Sequence, residues 1–356
     1  MAIRKRNKVW EIDYTDITGK RIRQSGYKTK QEAEIALSEA KVNKAKGITN
    51  VVNKAITIKD AGTYFIEKYA KFHCKEKSID EYTRIVYKTI IPYFQNMKLI
   101  NLKKSHVEDF ICHLQNTKNN SASTINKTVF ILGAIVEKQI ENGYIFQNVV
   151  RKVKKLKANE SNAKSLTQEE IEILLKTCLE HKPNFYPILL TALTTGMRRG
   201  EIVALMWENV DLKNNKIYVK YSEYNGKLLE PKTKSSYRGL NIPANLRKVL
   251  VEQKLKTGTS KFVFPKDNGE MMSAHNISSR TFPSLIKKAN IGHFRFHDLR
   301  HTFGSQLINN GVHIKYVQNQ MGHSKIKTTL DVYGHLLPDS NPIAMDVLNK
   351  IYSIAN

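Results

Sequence analysis

The chain has 356 residues, 41% of them hydrophobic and 25% charged, with 58 Lys+Arg against 32 Asp+Glu and a net charge of +26. That length implies two or three globular domains with a sizeable core, and the positive excess calls for a large anionic partner, either nucleic acid or an acidic membrane surface. The surplus is spread along the whole chain, which excludes a basic tail and suits a protein laid along a polyphosphate, where each Lys or Arg that meets a phosphate releases counterions.

Cys74, Cys112 and Cys178 are far apart and form no CxxC pair, so neither a disulfide framework nor a zinc site is expected, and a reducing intracellular setting fits. Met1-Ala2-Ile3-Arg4-Lys5-Arg6 has no apolar stretch behind its charges and does not read as a signal peptide. No run approaches the roughly 18 apolar residues of a membrane span.

Residues 8–28 read as strands: Val9-Trp10-Glu11-Ile12-Asp13-Tyr14 alternates, and Thr18-Gly19-Lys20 marks a turn. Thr29-Lys30-Gln31-Glu32 is a capping box that opens a helix running to about Lys46 and stopping at Gly47. Residues 57–155 read as four or five helices. Ala61, Phe65, Tyr69 and Phe72 share one face, Tyr82, Val86, Ile90 and Tyr93 another, and Val107, Phe110, Ile111 and Leu114 a third. Ser123 and Thr124 precede a further helix to about Glu141, ended by Gly143. The basic run Arg151–Lys157 grades into Ala158-Asn159-Glu160-Ser161-Asn162-Ala163 and reads as an interdomain linker, either plainly solvated or crossing a phosphate backbone. Thr167-Gln168-Glu169-Glu170 starts a last segment, with helices to about Trp207, strands to about Ile242 and helices thereafter. Asn225-Gly226 between Ile217–Tyr221 and Leu228-Leu229 predicts a hairpin.

Three clusters carry chemistry. In Thr195-Gly196-Met197-Arg198-Arg199-Gly200-Glu201-Ile202 the Thr-Gly pair breaks a helix and leaves Arg198 at a bend. A guanidinium aimed by a rigid turn forks onto two oxygens and suits a phosphodiester, although an Arg at such a place is also an ordinary surface residue. In His297-Asp298-Leu299-Arg300-His301-Thr302-Phe303, His297 and Arg300 share a helix face. His297 and His301 also have the i, i+4 spacing of a HExxH zinc motif, but Asp298 stands where that chemistry needs Glu, and Arg300 would repel the ion. Met321-Gly322-His323-Ser324 is followed by Thr328-Thr329-Leu330-Asp331-Val332-Tyr333. Alone, Tyr333 is an unremarkable aromatic near a helix end. With two Arg and two His beside it, a phenol attacks a phosphodiester without a metal, because the cations neutralise the pentavalent phosphoryl group.

In this order, Arg198…His297-x-x-Arg300…His323…Tyr333, the chain resembles the tyrosine recombinase (phage integrase) family over residues about 165–340, through Thr-Gly-x-Arg-x-x-Glu, His-x-Leu-Arg-His-Thr and Gly-His-Ser…Tyr. The resemblance implies a catalytic lysine on a β-turn in Pro231-Lys232-Thr233-Lys234-Ser235-Ser236-Tyr237-Arg238, with Lys232 the better match and Lys234 its rival. The first segment is similar to the arm-type DNA-binding domains of phage and conjugative-element integrases, and the helical segment to their SAM-like core-binding domain. The implied architecture is multidomain α+β: a three-stranded sheet plus helix over residues 1–50, an all-α core-binding domain over 51–157, and a mainly helical catalytic domain with a small antiparallel sheet over 158–356.

The implied reaction is strand exchange through a 3′-phosphotyrosine, integrating and excising a mobile element. Tyr333 attacks, Arg198 and Arg300 hold the non-bridging oxygens, Lys232 protonates the departing 5′ oxygen, His297 acts as general base and His323 bonds the phosphate. The same resemblance implies no cofactor and no metal. Its partners are double-stranded DNA at core and arm attachment sites, further copies in a homotetramer, and accessory proteins (an excisionase, a host DNA-bending protein), in the cytoplasm of a bacterial host and away from membranes. The apolar face Val347, Leu348, Ile351 and Ile354 packs either on its own domain or on a neighbouring subunit. The alternatives are a resolvase or invertase of the same family, a type IB topoisomerase, and a DNA-binding regulator without catalysis.

Overall fold

Strands β1 (Ala2–Arg6), β2 (Val9–Thr15) and β3 (Arg21–Tyr27) form an antiparallel sheet in that order, with Ala2 opposite Asp13 and Tyr14 opposite Ile22. Alternation along β2 sends Ile12 and Tyr14 onto Ala33, Leu37 and Ala40 of helix α1 (Lys30–Ala45). The capping box forms as expected: Glu32 N–H donates to Thr29 Oγ1 at 3.1 Å and Lys28 N–H to the Glu32 carboxylate at 2.8 Å. The sequence pattern places the strands of the three-stranded sheet within residues 8–28, whereas the structure begins that sheet at Ala2 with β1. Its Arg4, Lys5 and Arg6 are exposed, and a charged edge strand is hidden from a search for apolar alternation. Asp13 is buried in the sheet and takes Arg21 Nε at 2.8 Å. The Arg21 hydrogen bond holds its carboxyl down at about 2.

In the computed structural model the described residues are 2–6, 9–15, 19, 21–45, 56–117, 119–157, 164–230, 237–336 and 350–351. The chain divides into two units, Met1–Glu160 and Ser161–Asn356. The expected stop at Gly47, the linker residues Ala158–Ala163, both candidate lysines Lys232 and Lys234, and Val347, Leu348 and Ile354 lie outside the described residues. Ile351 is exposed.

The first unit holds a second core, built by four helices: α2 (58–73), α3 (76–94), α4 (Lys104–Asn116) and α5 (Ala122–Glu141). The predicted stripes are buried at Ala61, Phe65, Val86, Ile90, Val107, Phe110, Ile111 and Leu114. Phe72 departs from its stripe and is 77% exposed, because burial along α2 ends at Ala70. The start of α5 is earlier than expected: Ser121, not the Ser123-Thr124 pair, is the cap, its Oγ accepting from Thr124 N–H. The basic run is fastened to this core rather than free. Leu156 exchanges two hydrogen bonds with the Asn126 side chain, at 2.8 and 2.9 Å, and Val153 and Leu156 pack on the helices.

In the second unit helices α6 (Gln168–His181) and α7 (Tyr186–Thr195) precede the short α8 (Arg199–Val203). Strands β4 (Val210–Asp211), β5 (Lys216–Val219) and β8 (Arg238–Asn241) form one sheet, and β6 (Ser222–Tyr224) pairs with β7 (Lys227–Leu229). Asn225 and Gly226 close that hairpin with φ of 49° and 78°, the type I′ geometry. The hairpin is smaller than expected. A two-residue turn joins the nearest extended residues, so Ser222–Tyr224 pairs across it while β5 pairs with β4 and β8. Helices α9 (Ala244–Thr257), α10 (274–288), α11 (Asp298–Asn309), α12 (Ile314–Met321) and α13 (Ile326–Tyr333) complete the unit. The α7 sequence carries no charge on any side because the helix is buried, packed against α9, α11 and α6, and its Thr191, Thr194 and Thr195 hydroxyls donate to carbonyls one turn back. No described helix is long and apolar enough to cross a membrane.

Candidate active site

Helix α7 ends at Gly196, whose φ of 62° is left-handed. A Cβ there would sit 2.4 Å from the Phe303 ring, so only glycine makes this stop. The chain leaves it extended, and Arg198 becomes the N-cap of α8. Glu201, one turn on, turns back: its carboxylate accepts Arg198 N–H at 2.8 Å and Arg198 Nη1 at 2.9 Å. The side chain of Arg198 is thereby held by its own helix while remaining 38% exposed.

Helix α11 begins at Asp298, with His297 as the residue before it. The Asp298 carboxylate is occupied by Arg295, through the backbone N–H at 2.8 Å and the guanidinium at 2.8 Å. The one acid that a HExxH reading would use as base is therefore a buried helix staple. His297 is exposed at the helix start, and His301 stands edge-on to it with ring centroids 5.2 Å apart.

Three arginines from three elements end on three successive carbonyls at the C-terminus of α12. Arg238 Nε of β8 donates to Gln320 O at 2.7 Å, Arg300 Nη2 of α11 to Met321 O, and Arg198 Nη2 to Gly322 O at 3.4 Å. Arg300 Nη1 also reaches Gly196 O at 2.6 Å, which ties the end of α7 to the end of α12. The last carbonyls of a helix lack intrahelical partners and carry its negative pole, so they are a natural gathering place for cations. Arg300 is 3% exposed, and burial with Arg198 close by pulls its pKa down to about 9; it is charged at neutral pH. Burial works against ionisation of Glu201, but Arg238 and then Arg198 outweigh it and hold the carboxyl at about 2.

Gly322, left-handed at φ 63°, stops α12 and presents His323, whose Nδ1 shares a hydrogen bond with Thr329 Oγ1 at 2.9 Å. Burial and then Arg300 and Arg198 lower the His323 pKa to about 4. His297 is lowered as well, by desolvation first and then by His301 and Arg300, although its exposed ring feels burial less than His323 does. Thr329 lies on α13, and that helix ends on Tyr333. Tyr333 is wholly buried, and its hydroxyl shares a hydrogen bond with His301 Nδ1 at 3.0 Å. Desolvation pushes the phenol pKa upward and Arg300 partly opposes this, so the buried phenol is protonated.

Five of the six residues singled out in the sequence, Arg198, His297, Arg300, His323 and Tyr333, are thus linked through the end of α12 and the first two turns of α11. Lys232 is outside the described residues. Tyr316, near in sequence, accepts Asn241 Nδ2 at 3.0 Å and is 40% exposed. The sequence reading missed Arg238, which sits in the lysine-bearing string but shows no spacing to mark it. It also missed the partnership of His301 with Tyr333, since residues 32 apart carry no periodic signal.

Three family models match in chain order: the arm DNA-binding domain over residues 2–44, the N-terminal SAM-like domain of phage integrases over 57–115, and the phage integrase family over 164–339. The chain belongs to the phage integrase family. A XerC-like tyrosine recombinase of Caldanaerobacter subterraneus subsp. tengcongensis is 25% identical to this integrase, over 95% of it and 94% of the relative. The ICEBs1 integrase of Bacillus subtilis is 26% identical over 75% and 76% of the two chains. Among solved structures, the Tn1549 transposon integrase in complex with a circular intermediate DNA has a TM-score of 0.71 at 22% identity, covering 83% of this chain and 99% of that one. A lambda integrase dimer bound to a COC′ core site has a TM-score of 0.65 at 17% identity, over 96% and 97%. These structural likenesses concern the fold: an antiparallel three-stranded sheet, a helical core and a mainly helical catalytic domain with a small sheet.

Proposed function

We propose that this integrase cuts and rejoins DNA at specific sites through a covalent bond between Tyr333 and a DNA 3′ phosphate, so as to integrate and excise a mobile element. The observation that carries the reading is the meeting of Arg198 and Arg300, from separate helices, at the end of α12, with Tyr333 at the end of the helix that follows. Two permanent cations on one phosphodiester stabilise the charge that builds up on its non-bridging oxygens. Arg198, the more exposed of the two, meets the phosphate first. His297 at the start of α11 and His323 after α12 add hydrogen bonds from either side. A cavity of about 580 Å³ opens beside His297; Arg199, Lys287 and Arg295 border it, on a lining that is otherwise largely apolar through Ile286, Ile291, Phe294 and Phe296.

The reaction runs as a balanced transesterification. The Tyr333 oxygen bonds to phosphorus as its proton leaves, the bond from phosphorus to the 5′ oxygen breaks, and Lys232 supplies the proton that the 5′ oxygen takes up. The family resemblance gives the base role to His297. His301 is the residue hydrogen-bonded to the phenol, so we assign the first proton to His301 and place His297 on the phosphate side. A buried phenol has to emerge before it reaches DNA, which makes movement of α13 part of the cycle.

The domain division that goes with this reading is an arm-binding domain over residues 1–50, a core-binding domain over 51–157 and a catalytic domain over 158–356. Its partners are double-stranded DNA at core and arm sites, three further copies in a synaptic tetramer, an excisionase and a host DNA-bending protein, acting in the cytoplasm of a bacterial host. The test is Tyr333→Phe on a duplex that carries the core sequence read from the element's junctions, nicked so that the covalent product is trapped. The adduct is expected to vanish while DNA binding survives. A persisting adduct, located on another residue by peptide mapping, would remove Tyr333 from its role.

A further inference from the structure

We propose that Arg238 is a positioning residue for strand cleavage: buried beneath Gly322, it holds Glu201 so that Glu201 presents Arg198 to the scissile phosphate. The inference rests on the reading of Arg198 as a phosphate ligand. The Arg238 side chain is 6% exposed. Its Nη2 meets Glu201 Oε2 at 2.8 Å and its Nη1 meets Oε1 at 3.2 Å, a fork-on-fork pair with fixed geometry. The same carboxylate oxygens take the backbone N–H and Nη1 of Arg198. Glu201 is therefore clamped between two guanidiniums, one buried and one facing outward.

The charge arithmetic explains why two are needed. A buried Glu201 paired with Arg198 alone would cancel the charge that Arg198 owes the phosphate. With Arg238 as the buried counter-ion, the Arg198 charge is left over for the ligand. Arg238 also fixes position, because its Nε bonds Gln320 O while Arg198 and Arg300 bond the next two carbonyls. The packing leaves no slack: a Cβ on Gly322 would come within 3.0 Å of Arg238 Nη1. Arg238 thus sets Glu201, the end of α12 and, through both, the aim of Arg198.

The test measures single-turnover adduct formation at saturating DNA, alongside the Kd for the same nicked core duplex, in the full chain. Arg238→Met is expected to slow adduct formation by about 100-fold, the cost of misaligning a reacting group from a distance, with Kd changed far less. In an Arg198→Ala background the same substitution is expected to cost little, because Arg238 acts through Arg198. Adduct formation at the wild-type rate, or an equal loss in both backgrounds, overturns the proposal. Should Arg238→Met not fold, Arg238→Lys keeps the charge without the fork; a folded Arg238→Lys protein that cleaves at the wild-type rate also overturns it. Loss of the adduct in Tyr333→Phe is the separate control on the underlying reading. If that control fails, the cleavage chemistry is wrong, whereas if it holds and Arg238→Met is silent, only the positioning role is wrong.

Discussion

The hydroxyl of Tyr333 lies 3.0 Å from Nδ1 of His301, on a ring that has no exposure to solvent. Nδ1 accepts from the phenol when His301 is neutral with its proton on Nε2, and burial lowers the His301 pKa, which favours the neutral ring. His301→Ala is expected to slow adduct formation by about 10²- to 10⁴-fold, the usual worth of a positioned base, and to flatten its dependence on pH. Single-turnover cleavage across a pH series compares it with His297→Ala. A wild-type rate in His301→Ala would return the base role to His297.

Gly304 stands one turn beyond His301 and makes room for the same ring. A Cβ on it would lie 2.7 Å from Tyr333 Cζ and 2.8 Å from the hydroxyl. Gly304→Ala should therefore force Tyr333 aside and cost about 1–3 kcal/mol, the range for overpacked cores. Thermal unfolding reads the loss of stability, and the cleavage assay reads the displaced phenol. An unchanged Tm with unchanged cleavage would mean that Tyr333 does not occupy this berth.

His323 is lowered to about 4 in the fold and the exposed His297 moves in the same direction, against about 6.5 in an unfolded chain. The unfolded chain therefore binds more protons between those values. Stability from these groups is complete above about pH 6.5 and drains away as pH falls towards 4. His323 is partly buried and His297 exposed, so solvent screening leaves His323 the larger share. Urea unfolding at constant ionic strength, from about pH 7 to 4.5, should show a shallower fall in His323→Gln than in the parent. Identical slopes in the two proteins would contradict this.

The sheet β1–β3 presents Arg4, Lys5, Arg6, Arg21 and Arg23 on exposed positions and has its own core around Ile12 and Tyr14. Removing residues 1–50 is expected to abolish binding to arm-type DNA and to weaken integrative recombination. Cleavage of a core-site duplex should continue, because the clustered residues all lie beyond residue 197. If core cleavage is lost in a truncated protein that still folds, the arm segment is no separate module.

The sequence by itself determined the local events. The capping box at Thr29, the helix start at Thr167, the helix break at Gly196 and the Asn225-Gly226 turn each depend on residues within three or four of one another, so the pattern is visible in the row of letters. The order of Arg198, His297, Arg300, His323 and Tyr333 was legible for the same reason, since each belongs to a short motif. The place of the edge strand β1 was hidden because its register comes from pairing with β2 and its side chains are charged. The tertiary structure alone decided which atoms face one another. Arg238 meets Glu201 across 37 residues, and Tyr333 meets His301 across 32, because β8, α8, α11 and α13 converge on the end of one helix. Contacts between distant segments are fixed by packing and by the need to satisfy buried charge, and neither leaves a periodic trace in the chain.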